Sequence, residues 1–457
     1  MGNKLPNELL QSLIKDFNIE QELFEQVHND ENQITSIRLN TKKPFNIFRG
    51  SKNIPWCDTG FYLNDRPAFI ADPDFHAGCY YVQEASSMFL EQALKHSTNL
   101  ADPLRVLDLC AAPGGKSTHI LSLISEDSLL VSNEIIKTRV GTLADNITKW
   151  GSSNAFVTNN DPKDFSKLEG FFDVMVIDAP CSGSGMFRKD PETVSQWSEG
   201  NVQLCSQRQQ RILANALPAL KEDGVLIYST CSYSKEENEN IADWLIDEFT
   251  LESIQIPLKS EWNILETTSE IHSAYGYRFY PHLLSGEGFF LTCFRKKKQS
   301  GELKYPKQKP VIAGKKEAAI LKEWLQSPDR FSFIQSGDDY LAIRNEHIDD
   351  FNLIKSKLYL KKAGIRLGAI QGKNLVPDHE LAMSQVNNHS IQRLELSRDE
   401  ALRYMRKDDL KVETDLTGWV LMCFGSHPLG WAKILPNRIN NYYPKNLRIL
   451  KSLQELN

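Results

Sequence analysis

The stretch LRVLDLCAAPGGKST, residues 104–118, decides the fold that we predict for this chain. It opens with a short apolar run, Leu104 to Leu109, which has the length and the side-chain branching of a buried parallel strand. The chain then turns through two alanines, a proline and two glycines, and enters a predicted helix after Lys116. A strand, a glycine turn and a helix typically cradle a nucleotide, because the free amides of the helix N-terminus face the ligand.

Three kinds of nucleotide site compete for this stretch. A P-loop requires G-x-x-x-x-G-K-[ST], and Gly115-Lys116-Ser117 fits its end, but Cys110 occupies the position of the first glycine. The dinucleotide fingerprint G-x-G-x-x-G is absent. A site for S-adenosylmethionine has no phosphate to hold and therefore needs no complete nest of amides. An ordinary strand–turn–helix connection without a ligand is the further alternative.

Strands and helices alternate regularly after this stretch. Alternation of this kind predicts an α/β fold with a doubly wound, mostly parallel sheet of the Rossmann-like type. The predicted strands are residues 104–109, 128–134, 154–161, 171–183, 223–232 and 287–296. In such a sheet the ligand lies beyond the carboxyl ends of the strands. Five polar or cysteine side chains fall at those ends, namely Cys110, Glu134, Asp161, Asp178 and Cys231.

Two of these acids suit an adenosyl ligand. Glu134 lies about 25 residues after Asp108, close to where nucleotide-binding folds place an acid that binds the ribose. A carboxylate accepts hydrogen bonds from two adjacent hydroxyls, which no apolar side chain can do. Asp161, at the next strand end, could receive an adenine amino group, although it also precedes Pro162 as a helix cap would. Together the two acids favour S-adenosylmethionine as the cofactor.

Two cysteines lie in polar turns at neighbouring strand ends, within DAPCSG (178–183) and STCS (229–232). The methyl group of S-adenosylmethionine is bonded to a sulfonium and is therefore electrophilic. An enzyme that transfers this methyl group has to make the acceptor atom nucleophilic. Carbon 5 of cytosine becomes nucleophilic when a thiolate adds at carbon 6 and turns the ring into an enamine. A group near N3 must then support the added charge, a role that suits Asp178. Two thiols fit an addition and a release, whereas two buried structural cysteines are the alternative.

These motifs resemble those of the Sun/nucleolar-protein family of RNA cytosine-5 methyltransferases. The resemblance covers residues 30–295 and rests on VLDLCAAPGGKST, SNE, DAPCSGSGMFRKD, RQQRIL and YSTCSYSKEENE. It implies that Cys231, in the TC motif, is the nucleophile and that Cys181, in the PC motif, assists the release of the product. It also implies an S-adenosylmethionine site formed by Cys110, Ala111, Ala112, Pro113, Gly114, Gly115, Lys116, Glu134, Asp161 and Asp178.

Segments outside these motifs are similar to one bacterial branch of the family, the methyltransferase F type. They are SIRLN near the start of the chain and GWVLMCFGSHPLGWAK near its end. The similarity implies 16S ribosomal RNA, or the small ribosomal subunit, as the partner, and a C-terminal PUA-like barrel that binds RNA. The expected organisation is an RNA-binding N-terminal α/β domain (1–100), a catalytic domain (101–295), a linker (296–312) and a C-terminal α+β region (313–457).

Charge is distributed unevenly along the chain. Residues 295–457 contain 29 Lys and Arg against 19 Asp and Glu, a net charge of +10, whereas residues 1–294 contain 24 against 40, a net charge of −16. We expect the basic C-terminal region to contact RNA phosphates beside an acidic catalytic body. In the N-terminal domain the basic side chains of Arg38, Lys42 and Lys43 also suit RNA. An unevenly charged, solvated surface without a partner is the alternative.

Composition excludes several classes of protein. No apolar run approaches about 18 residues, so no membrane span is predicted. The first residues lack the apolar core of a signal peptide, and the eight cysteines include no C-x-x-C pair. We therefore expect a cytoplasmic protein that binds no metal, and a monomer.

Other functions stay open from the sequence. Transfer RNA is the alternative substrate, and an RNA-binding scaffold without catalysis is the alternative from a different class. A DNA cytosine-5 methyltransferase would use the Pro-Cys cysteine, Cys181, as nucleophile and would leave Cys231 without a role. An amino-group methyltransferase would carry an aromatic residue at position 181 to stack the base, and a P-loop NTPase is disfavoured by Cys110.

Overall fold

The chain begins with two amphipathic helices, followed by a four-stranded antiparallel sheet of order β2-β3-β1-β4. The computed structural model describes residues 5–30, 33–46, 48–298, 301, 303–307 and 309–456, so parts of the predicted linker lie outside the described residues. The elements of this N-terminal part are α1 (Asn7–Phe17), α2 (Gln21–Asn29), β1 (Thr35–Leu39), β2 (Lys52–Ile54), β3 (Cys57–Leu63), α3 (Pro73–Ala77), β4 (Tyr80–Val82) and α4 (Leu90–Ser97).

The middle of the chain alternates strands and helices, as predicted, and ends in antiparallel strands. Its elements are β5 (Arg105–Asp108), α5 (Gly115–Leu123), β6 (Leu129–Asn133), α6 (Lys137–Trp150), β7 (Ala155–Thr158), β8 (Phe172–Asp178), α7 (Glu192–Gln196), α8 (Glu199–Ala216), β9 (Leu220–Thr230), α9 (Glu239–Phe249), β10 (Leu251–Ser253), β11 (Leu265–Thr268), β12 (Tyr275–Phe279) and β13 (Phe289–Lys296).

The C-terminal part mixes short helices and strands. Its elements are α10 (Lys315–Lys322), β14 (Phe331–Ser336), β15 (Asp339–Arg344), α11 (Ile348–Lys357), β16 (Leu360–Ala363), β17 (Ile365–Gln371), β18 (Asn374–Pro377), α12 (His379–Met383), β19 (Arg393–Glu395), α13 (Arg398–Arg406), β20 (Gly418–Phe424), β21 (His427–Leu435), β22 (Arg438–Asn441) and α14 (Leu453–Leu456). Within the described residues, none of the helices combines the length and the apolar content that crossing a membrane requires.

The central sheet contains ten strands in the described part of the chain. Five of them, in the order β7-β6-β5-β8-β9, run parallel and form its middle. Apolar side chains cover both faces: the neighbours Val106 and Leu107 of β5 are buried in two different clusters. This arrangement confirms the predicted doubly wound α/β fold. Antiparallel strands extend the sheet on both sides, with β13, β12 and β11 beyond β9, β10 beside β13, and β16 beyond β7.

The C-terminal part is joined to this central sheet. Strand β16 pairs with β7, so a segment from the predicted C-terminal region covers what would otherwise be an open sheet edge. Helix α11 packs Phe351 against Phe156 of β7, and Arg105 of β5 donates to Asp350 of α11 at 2.9 Å. The two parts therefore share one apolar core.

The last sheet, of order β19-β20-β21-β22, is open in the described residues, whereas the sequence predicted a barrel. Its edge strands β19 and β22 each pair with one neighbour. The sheet does not need to close on itself to bury its apolar face, because the N-terminal part covers it. Ile37 and Tyr80 of the N-terminal sheet are buried in the same cluster as Val420 and Met422 of β20.

Two of the basic residues predicted to face RNA in the N-terminal part are buried. Arg38 is fully buried and donates to Thr118 of α5 at 2.6 Å. Lys43 is 5% exposed and donates to the carbonyl oxygens of Ala77 and Lys149, each at 2.8 Å. Both side chains therefore anchor the N-terminal part to helices α5 and α6, and the prediction that they contact RNA is wrong.

Phe351→Ala is expected to destabilise the central sheet together with the C-terminal part. Phe351 is 1% exposed, and its ring centroid lies 6.1 Å from that of Phe156. Truncating a buried phenylalanine removes apolar contacts and leaves a cavity, at a cost of about 3–5 kcal/mol. Urea unfolding should show circular dichroism and tryptophan fluorescence shifting together to lower urea. The control is Lys357→Ala, an exposed position of the same helix, which should change the free energy of unfolding by less than ~0.5 kcal/mol. Two separate transitions would contradict the shared core.

Candidate active site

The turn after β5 is fixed against α6. Arg139 Nη2 donates to the carbonyl oxygen of Ala112 at 2.6 Å, and Asn146 Nδ2 donates to that of Pro113 at 2.8 Å. Gly114 then takes a φ of +114°, a conformation that side chains with a Cβ rarely adopt, and α5 begins at the next residue. The first amides of α5 thus start at the carboxyl end of β5, where the sequence predicted the nucleotide cradle.

Asp108, the last residue of β5, is a buried carboxyl group with one unpartnered oxygen. Ser117 Oγ donates to its Oδ2 at 2.6 Å, and Ser132 Oγ donates to Ser117 Oγ at 2.9 Å. Its Oδ1 has no hydrogen-bond partner among the described residues. Burial raises the pKa of Asp108 to about 7. A buried oxygen without a partner fits a ligand that brings a donor or a positive charge to this strand end.

Lys116 and Asp178 join the turn after β5 to the end of β8. Lys116 Nζ lies 2.8 Å from Asp178 Oδ2, and the same ammonium group lies 5.0 Å from the centroid of the Phe289 ring. Ser229 Oγ donates to the other oxygen, Asp178 Oδ1, at 2.8 Å. The side chain of Asp178 is still 38% exposed. Its orientation is therefore set by protein groups while one side faces solvent.

The other two predicted acids lie at the ends of β6 and β7, which are parallel neighbours. Glu134 is 3% exposed, and its Oε1 accepts a hydrogen bond from the amide of Ile136 at 2.8 Å. Asp161 accepts from the amide of Lys163 at 3.0 Å and caps the short helical turn Pro162–Leu168. Asp161 is therefore a helix cap, the alternative that the sequence left open, and its second oxygen stays available to a ligand.

Cys181 and Cys231 face each other with their sulfurs 3.0 Å apart. They follow β8 and β9, which are parallel neighbours, and both residues are partly exposed. The hydrogen bond with Cys231, together with burial, raises the pKa of Cys181 well above that of an ordinary thiol. Either sulfur can donate the hydrogen bond that joins the pair.

A glycine lets the two cysteine loops approach each other. The amide of Gly185 donates to the carbonyl oxygen of Cys231 at 2.9 Å, and the amide of Gly288 donates to the carbonyl oxygen of Gly185 at 3.1 Å. A Cβ on residue 185 would lie 2.3 Å from the carbonyl oxygen of Gly288 and 2.9 Å from that of Cys231. A larger residue at 185 would push the loops apart.

Glu237 is a site residue that the sequence prediction overlooked. It is fully buried, and its carboxylate accepts hydrogen bonds from Ser182 and Ser232, the residues that follow the two cysteines. Burial raises the pKa of Glu237. The acidic run EENE after Cys231 was visible in the sequence, but no local pattern indicates which of its side chains turns inward.

A buried group of metal-type ligands lies outside this site. Cys57 Sγ donates to Glu91 Oε2 at 3.1 Å, and His119 Nε2 lies 3.1 Å from the same oxygen. Burial lowers the pKa of His119 to about 4. Because Lys95 also donates to Glu91 at 2.6 Å, protein donors already neutralise the carboxylate.

Three family models match the chain. The model of the 16S rRNA methyltransferase RsmB/F matches residues 96–295. The N-terminal domain of the 16S rRNA methyltransferase RsmF matches residues 5–85, and the methyltransferase RsmF PUA domain matches residues 391–449.

Relatives and solved structures are similar over most of the chain. The ribosomal RNA small subunit methyltransferase F of Psychromonas ingrahamii is 32% identical over 421 residues, which cover 86% of this chain and 85% of that protein. A methyltransferase homologue from Pyrococcus horikoshii has a TM-score of 0.51 and 26% identity, covering 64% of this chain and all of its own. NSun6 from the same organism, crystallised with SFG, has a TM-score of 0.54 and 19% identity, covering 65% of this chain and all of its own, and this likeness concerns the fold alone.

Proposed function

This chain belongs to the RsmB/F family of ribosomal RNA methyltransferases, and from that premise we propose that it forms 5-methylcytosine in 16S ribosomal RNA. The observation that carries the proposal is the pair of thiols, Cys181 and Cys231, with sulfurs 3.0 Å apart at the carboxyl ends of neighbouring parallel strands. Nitrogen and oxygen acceptors are nucleophilic without covalent help, whereas carbon 5 of cytosine needs a thiolate adduct. Two adjacent thiols therefore favour a carbon acceptor.

S-adenosylmethionine is the cofactor that this proposal requires, and the strand-end residues fit it. Glu134 and Asp161 offer acceptors for ribose hydroxyls and an adenine amino group, and the unpartnered oxygen of Asp108 suits a cationic or donor group. When bound, the cofactor supplies an electrophilic methyl group. The proposed binding residues are the turn Cys110–Lys116, Glu134, Asp161 and Asp178.

Cys231 is the proposed nucleophile. Its thiolate forms a bond to carbon 6 of cytosine, and the electrons of the 5,6 double bond move into the ring, which makes carbon 5 nucleophilic. Asp178 is proposed to donate a proton toward N3, where negative charge develops, since an ionised carboxylate would repel that charge. Lys116, 2.8 Å from Asp178, then balances the carboxylate that remains. Because Lys116 and Ser229 hold Asp178 from the protein side, its position does not depend on the RNA.

Cys181 is proposed to release the product. The hydrogen bond with Cys231 is the first cause of its raised pKa, and this cause disappears once the Cys231 sulfur is bonded to carbon. Cys181, which is partly exposed, can then give its proton to solvent, and its thiolate removes the proton from carbon 5. The electrons of that C–H bond re-form the 5,6 double bond, and the bond between carbon 6 and Cys231 breaks, which leaves Cys181 as a thiol and Cys231 as a thiolate. The order of the two steps thus follows from the contact between the two sulfurs.

The C-terminal part is the proposed RNA-binding region, in line with its net charge of +10. It reaches the edge of the site, because Asn160 Nδ2 donates to the carbonyl oxygen of Tyr359 at 3.0 Å. The side chain of Tyr359 is exposed, and exposed Lys357 and Lys361 lie on either side of it in the chain. An exposed ring between cations suits an unstacked RNA base. A cytoplasmic location and a monomeric state stay predictions.

Removing the proposed cofactor acids should weaken the binding of S-adenosylmethionine. Glu134→Ala and Asp161→Ala each delete a charge-assisted hydrogen bond, which costs about 1.5–3 kcal/mol, or roughly ten- to hundredfold in affinity. Titration calorimetry measures this directly. Asp164→Ala serves as the control, because Asp164 lies on the same turn as Asp161 but pairs with Lys167. Unchanged affinity in both test variants would remove these acids from the cofactor site.

The two cysteines should fail in different ways. Cys231→Ala cannot add to carbon 6, so methylation should stop and no protein–RNA adduct should appear. Cys181→Ala should add and transfer methyl but stay attached to the RNA, giving a shifted band on a denaturing gel with RNA and S-adenosylmethionine. Cys423→Ala, in the C-terminal sheet, should behave as the wild type.

The opposite pattern would contradict these roles. An adduct trapped by Cys231→Ala, with activity lost in Cys181→Ala, would assign the nucleophile to Cys181. Methylation that persists in both variants without any adduct would exclude the covalent mechanism.

A further inference from the structure

We propose that Glu237 is a positioning residue that fixes the contact between Cys181 and Cys231 and places its buried carboxylate against the loop that carries Cys181. It acts through the serine that follows each cysteine. The inference rests on the two-thiol mechanism proposed above and adds to it the group that positions the two thiols.

One carboxylate joins the two cysteine loops. Glu237 Oε1 accepts a hydrogen bond from the amide of Ser182 at 2.8 Å, and Glu237 Oε2 accepts from the hydroxyls of Ser182 and Ser232, each at 2.5 Å. The two hydroxyl oxygens are 3.3 Å apart. Ser182 directly follows Cys181, and Ser232 directly follows Cys231. Loops that lie 50 residues apart in the chain are therefore held by the same side-chain oxygen.

Glu237 is itself held by other residues, both through its side chain and through its main chain. Gln209 Nε2 of α8 donates to Glu237 Oε1 at 3.1 Å, and Tyr228 Oη donates to the carbonyl oxygen of Glu237 at 2.7 Å. The side chain is fully buried, so water cannot replace a donor that moves away. A shift of either cysteine loop would break the hydrogen bond between its serine and Glu237. The buried carboxylate would then be left with an unpaired acceptor, at the full desolvation cost.

The charge of Glu237 acts on the same pair of thiols. Its negative charge adds to the effects of the Cys231 hydrogen bond and of burial, all of which raise the pKa of Cys181. Burial also raises the pKa of Tyr228 and of Cys205, so both stay neutral at pH 7. Among the described residues, the charge of Asp178 adds to the raised pKa of Tyr228, whereas Arg208 opposes the rise at Cys205, and Lys116 pairs with Asp178. The buried charge of Glu237 therefore disfavours a thiolate at Cys181.

Two substitutions separate the geometric effect from the charge. Glu237→Gln keeps the shape and the oxygen that accepts from the two N–H groups, and its amide can donate to the serine oxygens, so the contact survives while the charge is lost. Glu237→Ala removes both. Glu236→Gln is the matched control, because it removes a carboxylate from the same turn, Lys235–Glu237, at a residue that is partly exposed.

The first readout does not need activity. Alkylation of the full-length protein by iodoacetamide across a pH series, with each cysteine followed by peptide mass spectrometry, reports where each thiol becomes a thiolate. In Glu237→Gln the midpoint for Cys181 should fall by about one pH unit, because removing a nearby negative charge favours the thiolate. Glu236→Gln should leave the midpoint unchanged. A Cys181 midpoint in Glu237→Gln equal to that of the wild type would overturn the inference.

The second readout is the reaction with RNA. Glu237→Gln should methylate and release at least as fast as the wild type, without a trapped protein–RNA adduct, because its thiols stay aligned and the Cys181 thiolate that release requires forms more easily. Glu237→Ala should lose methylation about a hundredfold, because the thiols are no longer aligned, while its affinity for S-adenosylmethionine stays within about twofold of the wild type. If Glu237→Ala does not fold, the Cys181 midpoint in Glu237→Gln tests the inference alone.

Failure of this inference can be told from failure of the proposed function. A wild-type protein that does not methylate RNA, together with a Cys181→Ala variant that forms no adduct, would refute the proposed function. The alkylation midpoints would still test the role of Glu237. A wild type that is active, with the Cys181 midpoint unchanged in Glu237→Gln and methylation unchanged in Glu237→Ala, would refute the inference and leave the proposed function standing.

Discussion

The site depends on the parallel pairing of β8 with β9. The register places Asp178 beside Ser229, so the residues that follow both strands emerge together at one edge of the sheet. This puts Cys181 against Cys231 and lets Ser229 hold Asp178. A slip of one residue would turn every side chain of a strand to the other face. Because both faces are covered by apolar clusters, the core that stabilises the sheet also fixes the site.

The two thiols differ in their surroundings, and this difference sets the proposed order of addition and release. Cys181 and Cys231 are alike as residues, yet the hydrogen bond with Cys231 and burial raise the pKa of Cys181. In the proposed mechanism, the contact that raises this pKa is lost when Cys231 bonds to the base. A buried acid, Glu237, holds both loops and has its own hydrogen bonds from two further elements, so the pair is positioned before RNA arrives.

The parallel half of the fold could be predicted because each of its strands is a short apolar run between helices with clear periodicity. The strands at the two edges of the central sheet could not be predicted. Strand β11 has the sequence LETT and a half-exposed surface, which no apolar pattern marks as a strand. The pairing of β16 with β7 joins segments about 200 residues apart, and nothing local in either indicates the other. The open C-terminal sheet was predicted as a barrel because its cover comes from the far end of the chain.

Some residues of the site could likewise be predicted from the sequence, and others could not. Asp178, Cys181 and Cys231 could be placed because they follow predicted parallel strands and therefore had to share an edge. Glu237 could not, because its role follows from the path of a short turn and from hydroxyls on two separate loops.

Mapping of 5-methylcytosine in ribosomal RNA from cells with and without this gene tests the proposed reaction most directly. At least one cytosine of the 16S RNA should carry the methyl group in the presence of the gene, lose it in its absence, and regain it from a wild-type copy but not from a Cys231→Ala copy. A map of 16S RNA that is the same with and without the gene would contradict the proposed function.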